Sequence, residues 1–118
     1  MPVTEIRDYA HFKELIENNH VVIIDAWAKS HELRVGMSSL FHDLSENPQS
    51  NRSGLVFAKH DLDNDKNEDV SHELDTPGVP AFVTYCNGYK VDSLIIMVTD
   101  PEKLEELVEE AISLPKWG

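Results

Sequence analysis

Between residues 21 and 28 the chain reads Val-Val-Ile-Ile-Asp-Ala-Trp-Ala, seven apolar residues around a single carboxylate, Asp25. A half-exposed strand would alternate apolar and polar residues, and this run does not. It demands cover on both faces, as in the central strand of an α/β sheet, and its β-branched Val and Ile residues favour that conformation. Asp25 loses its hydration there, so it must either take up a proton or meet a cation and hydrogen-bond donors.

Helical and strand periodicities on either side complete the layout. Phe12, Leu15 and Ile16 recur at helical spacing over about residues 8–18, with Asn18-Asn19 as a stop. Leu33, Met37, Leu40, Phe41 and Leu44 form one stripe of a long second helix, which Gly36 weakens by roughly 1 kcal/mol relative to alanine. A polar loop, Asn47 to Gly54, precedes a strand from Leu55 to Leu62 whose Leu55, Val56, Phe57 and Ala58 are core candidates. A short helix near Asp69–Leu74 follows. Ala81–Tyr85 and Val91–Ile96 flank Asn87-Gly88 and read as an antiparallel hairpin. Thr99-Asp100-Pro101-Glu102 is a helix-start signature, and Leu104, Leu107, Val108, Ala111 and Ile112 give the last helix its buried stripe. Strands alternating with helices and ending in a hairpin make a mixed sheet covered on both sides. Residues 1–118 are read as one domain, because 118 residues with 41% hydrophobic content suffice for one core and show no internal repeat.

Charge narrows the partners. Ten basic against 22 acidic side chains leave a net charge of −12, which repels nucleic acid and anionic membrane surfaces. The opening residues Met1 to Asp8 hold no cationic segment followed by an apolar stretch, and no run of about 18 apolar residues occurs. The expectation is an unanchored cytoplasmic protein. A single cysteine, Cys86, excludes an intrachain disulfide and agrees with a reducing compartment.

Residues 22–34 resemble the thioredoxin segment VVVDFWATWCGPC. Aligned without a gap, Asp25 falls on the buried aspartate of that family, Trp27 on its first tryptophan, and Ser30-His31-Glu32-Leu33-Arg34 on WCGPC. Gly78-Val79-Pro80-Ala81-Phe82 looks like the family's Gly-Ile-Pro-Thr-Leu, and Asn87-Gly88 matches its hairpin turn. The resemblance implies an α/β thioredoxin fold, with a central mixed sheet of about five strands, about four flanking helices and a cis peptide bond at Pro80. Both redox sulfurs are replaced, by His31 and Arg34. Imidazole and guanidinium supply neither a thiolate nor two-electron chemistry, so dithiol–disulfide oxidoreductase activity is expected to be absent.

The resemblance also turns the Arg34 position inward toward Asp25. A structural ion pair between Asp25 and Arg34 is one reading; the other leaves Asp25 protonated or water-linked and Arg34 in solvent. His31 stands at the first turn of the second helix, where unpaired amides favour the neutral imidazole and the Glu32 carboxylate. Ser30 is placed to cap that helix or donate to an anion. If the chain is an enzyme, His31, Ser30 and Asp25 are the catalytic candidates, in a non-redox enzyme or a glutathione- or small-molecule-binding protein.

The binding surface implied by the resemblance comprises Trp27, Ser30, His31, Glu32, Leu33, Arg34, Val79, Pro80 and Ile96. The residue before the cis-proline in such proteins offers its backbone to an extended peptide. Ile96 is read at a position where relatives carry glycine, so it either fills the groove or makes a new apolar patch. The leading function is therefore a redox-inactive module that binds a protein or peptide, with self-association through residues 95–98 as a third class. No metal or cofactor is expected. His31 and His42 lie about 16 Å apart along one helix, and His11, His20, His60 and His72 fall in separate elements, read as solvated or locally bonded. Asp61 to Asn67 fails as a calcium loop because Lys66 and His72 stand where glycine and glutamate are needed.

Overall fold

The computed structural model describes residues 3–27, 35–47, 54–62, 67–75, 81–91, 96–97 and 101–114. Its strands are β1 (Thr4–Glu5), β2 (Val21–Trp27), β3 (Leu55–Asp61), β4 (Ala81–Cys86), β5 (Tyr89–Lys90) and β6 (Ile96–Met97). Its helices are α1 (Tyr9–Asn18), α2 (Val35–Ser45), α3 (Glu68–Leu74) and α4 (Pro101–Ile112).

β2 occupies the middle of the sheet, parallel to β3 on one side and antiparallel to β4 on the other. The full order is β1-β3-β2-β4-β5, with β6 also pairing β4. Val21, Val22, Ile23, Ile24 and Ala26 are all buried, as a strand covered on both faces requires.

Successive β2 residues serve opposite cores. Val21 and Ile23 pack with Phe41, Leu55, Phe57, Phe82, Leu104, Leu107, Val108 and Ala111, the side covered by α2 and α4. Val22, Ile24 and Ala26 pack with Phe12, Ile16, Val70, Leu74, Val83 and Tyr85, the side covered by α1 and α3. The first core centres on Phe41, whose ring lies 5.1 Å from that of Phe57 and 5.3 Å from that of Phe82. In the second, Phe12 meets Tyr85 edge-on at 5.6 Å. Such pairs add about 0.5–1.5 kcal/mol beyond their buried area.

Local chemistry sets the element ends. The Asp8 carboxylate accepts from the His11 N–H at 2.8 Å and caps α1, while Asn19 leaves the helix in an extended conformation. Asn87 and Gly88, with φ 53° and 86°, form the two-residue hairpin between Cys86 and Tyr89. Asp75 ends α3 in the left-handed region, its N–H bonded to the Ser71 carbonyl at 3.1 Å. Lys90 of β5 donates to the Leu74 carbonyl at 3.1 Å, holding the same helix end.

Two sequence expectations change. β1 was not anticipated, because Thr4-Glu5 is too short for a periodic signal and exists by pairing with Ala58 and Lys59. The strand expected over Val91–Ile96 is not one continuous ladder with β4. From the Tyr85–Lys90 pair to the Phe82–Ile96 pair, β4 moves back three residues while the returning chain advances six. The returning side therefore carries three extra residues between β5 and β6, which apolar content alone does not reveal. Ala28, Leu33 and Trp117 lie outside the described residues.

Phe82 is fully buried between β2 and the aromatic cluster, so Phe82→Ala is expected to cost about 3–5 kcal/mol in urea denaturation. Gly88→Ala, forced to a positive φ, is expected to cost about 1 kcal/mol by the same measurement.

Candidate functional site

Both β2 and β4 deliver residues to one end of the sheet. β2 finishes at Trp27, and β4 begins at Ala81, immediately after Pro80; Ala26 and Ala81 are registered partners. Met97 of β6 pairs with Ala81 on the far side of β4, and Ile96 pairs with Phe82. Met97 is thus registered with the residue following Pro80. Ser30, His31, Glu32, Leu33, Arg34, Val79 and Pro80, with the expected cis bond and the Asp25–Arg34 pair, lie outside the described residues.

Asp25 is 2% exposed, on the α2 and α4 side of the sheet with Ile23. Its registered partners are Lys59 on β3 and Phe82 on β4, and Glu5 on β1 pairs Lys59 in turn. Registered partners in neighbouring strands share a face, so a half-buried lysine stands beside the buried carboxylate. Lys59 was not singled out from sequence. The signal was available: two parallel runs, each beginning with its apolar stretch, place residues 25 and 59 level once Val21 and Leu55 are aligned.

Cys86 occupies the other end of the molecule. It pairs with Val21, five residue steps along β2 from Ala26, a separation of about 17 Å. It closes β4 at the hairpin, next to the Asn87-Gly88 turn, in a strand that lies beside β2. It is half-buried and free.

Of the two readings of His60, solvated or locally bonded, the first is excluded: it is fully buried, on the α1 and α3 side of β3. Its Nε2 lies 2.7 Å from Ser71 Oγ on α3, and its Nδ1 is enclosed without a hydrogen-bond partner among the described residues. Burial lowers its pKa against the opposing influence of Asp61 and Asp69, so the ring is held neutral. On the same side, burial pushes the Tyr85 hydroxyl up to about 12, with Glu73 and Tyr9 adding to the effect. The other described histidines follow expectation: His11 accepts from the Arg7 N–H at 3.0 Å, His20 bonds Asn87 at 2.8 Å, His42 lies 3.3 Å from Glu46, and His72 is exposed. Among the described residues no group of three or more His, Cys, Asp or Glu side chains is arranged to hold a metal, and no helix is long and apolar enough to cross a membrane.

The order of this mixed sheet and its helices on both faces define a thioredoxin fold. The solved thioredoxin of Malassezia sympodialis superposes with a TM-score of 0.83 at 27% identity, over 96% of each chain. That of Plasmodium falciparum gives 0.78 at 24% identity, over 92% of this chain and 98% of that one. In sequence, a thioredoxin of Coprinus comatus is 33% identical over 112 residues, spanning 94% of this chain and 99% of that protein. The M. sympodialis protein is 27% identical over 108 residues. No family model matches the chain. On the strength of the C. comatus match, the chain belongs to the thioredoxin family.

The adjacency of Asp25 and Lys59 is expected to appear as energetic coupling. In a double-mutant cycle of Asp25→Asn and Lys59→Met, urea unfolding at neutral pH should show a coupling of about 0.5–3 kcal/mol. Strict additivity would mean that the two side chains ignore each other.

Proposed function

We propose that this thioredoxin-family chain is a redox-inactive module that binds a protein or peptide through the surface around Trp27, residues 30–34, Val79 and Pro80. The observation that carries the reading is the absence of any cysteine between residues 28 and 34, combined with a fold that matches thioredoxin along nearly its whole length. Disulfide exchange requires an attacking thiolate and a second thiol to resolve the mixed disulfide. The one thiol present, Cys86, pairs with Val21, six residue steps or about 20 Å along β2 from Trp27, where β2 gives way to residues 28–34.

A backbone platform needs no sulfur, and β4 starts at Ala81 next to Ala26 near the end of β2, which supports a peptide site there. An extended peptide laid against such a platform gains main-chain hydrogen bonds without any redox step. His31 and Arg34 replace two small thiols with larger, hydrogen-bonding side chains, which suits recognition better than electron transfer. Arg34 is further proposed to pair with Asp25. The lone thiol suits a reducing compartment, and the cytoplasm is the proposed location.

Purified protein is expected to show no insulin-disulfide reduction above buffer with dithiothreitol. Affinity capture from native lysate should recover a partner with the wild type and lose it with the Pro80→Ala/His31→Ala double variant. Equal recovery by both proteins would refute the assignment of this surface. For the Arg34 pair, Asp25→Asn and Arg34→Met should be non-additive in stability.

A further inference from the structure

His60 is a titratable ring placed where an apolar residue would ordinarily complete the core between β3 and α3. Its neighbours on the same strand face, Val56 and Ala58, belong to that core, and Val70 and Leu74 of α3 are both fully buried against it. Between them, His60 Nε2 and Ser71 Oγ make a 2.7 Å hydrogen bond, a polar tie from sheet to helix inside an apolar layer. In either neutral tautomer Nδ1 remains enclosed without a partner among the described residues. In the imidazolium both nitrogens carry protons, so Nδ1–H is a buried donor without an acceptor among the described residues, and the charge itself is desolvated. Ser71 is then restricted to accepting.

We propose that the His60–Ser71 contact is an acid-sensitive latch that holds α3 on the sheet and releases it as pH falls below the ordinary histidine range. The charged groups facing the ring are Asp61 on its own strand and Asp69 on α3, both favouring the imidazolium, and burial outweighs them. β2 presents Ala26 as its registered neighbour. On the β1 side Glu5 and Arg7 are exposed, as are the remaining titratable groups of α3, Glu68, His72 and Glu73.

The sign follows from which state takes the proton. Above about pH 6.5 the ring is neutral whether α3 is docked or open, and the latch is intact. As pH falls below that value the open state protonates and the docked state does not, so opening becomes easier by up to about tenfold per pH unit until the docked pKa is reached. The helix is suited to local opening. It has seven residues, and apart from His60–Ser71 its described polar ties to the body are the Lys90 ammonium on the Leu74 carbonyl and the exposed Tyr9 hydroxyl on Glu73.

Native-state amide exchange, corrected for intrinsic rates, tests this at about pH 7.5 and 5.5 with α4 on the opposite face as internal reference. Opening of α3 should rise several-fold to about tenfold in the wild type, while α4 stays constant and His60→Val flattens the response. A rise below twofold, or an equal rise in His60→Val, would overturn the latch. Should that variant fail to fold, an NMR titration of the wild-type imidazole decides: His60 must titrate below the ordinary value, and a midpoint at or above about 6.5 sinks the proposal.

Discussion

The two-sided burial of β2 is the constraint from which the rest of the structure follows. A strand with apolar residues on both faces stays in water only if helices cover each side, and its backbone groups need partners along both edges. β3 and β4 supply the edges, α2 and α4 cover one face, and α1 and α3 cover the other. Every feature of functional interest is positioned relative to that strand. Its end brings Trp27 beside the start of β4, its interior holds Asp25, and its beginning faces Cys86.

Asp25 and His60 are two ionisable groups buried on opposite sides of one sheet, and the fold treats them differently. Asp25 lies in a row with Lys59, Phe82 and, further out, Glu5, so a cation stands at the next strand position. His60 sits one row further along β3 and one face over, with a neutral hydroxyl as its hydrogen-bond partner. A carboxylate in a dry layer needs a cation or a proton, and an imidazole there is tolerable while uncharged. Net charge amplifies the contrast, since a chain at −12 gains little from another buried anion and has few cations to place.

Membership in the thioredoxin family and loss of the dithiol together separate scaffold from chemistry. A fold can be retained for the surface it presents after the reactive atoms have gone, because the sheet and its helices do not depend on the two sulfurs for their packing. Here the described aromatic packing does not involve them: the Phe41, Phe57 and Phe82 cluster and the Phe12–Tyr85 contact lie on the strands and helices themselves.

Much of the architecture was legible in the residues. The β2 run, the stripes on α1, α2 and α4, the Asn87-Gly88 turn and the mixed sheet all follow from period and turn chemistry, which are local. The absence of thiols at residues 31 and 34 was equally plain, since it needs only the order of letters. What the tertiary structure alone decided is non-local. Register between β2 and β3 put Lys59 level with Asp25, the unequal spacing of β5 and β6 put Met97 level with Ala81, and the docking of α3 buried His60 against Ser71. Pairing across a sheet depends on how distant segments slide past one another, and a single sequence carries no direct record of that distance.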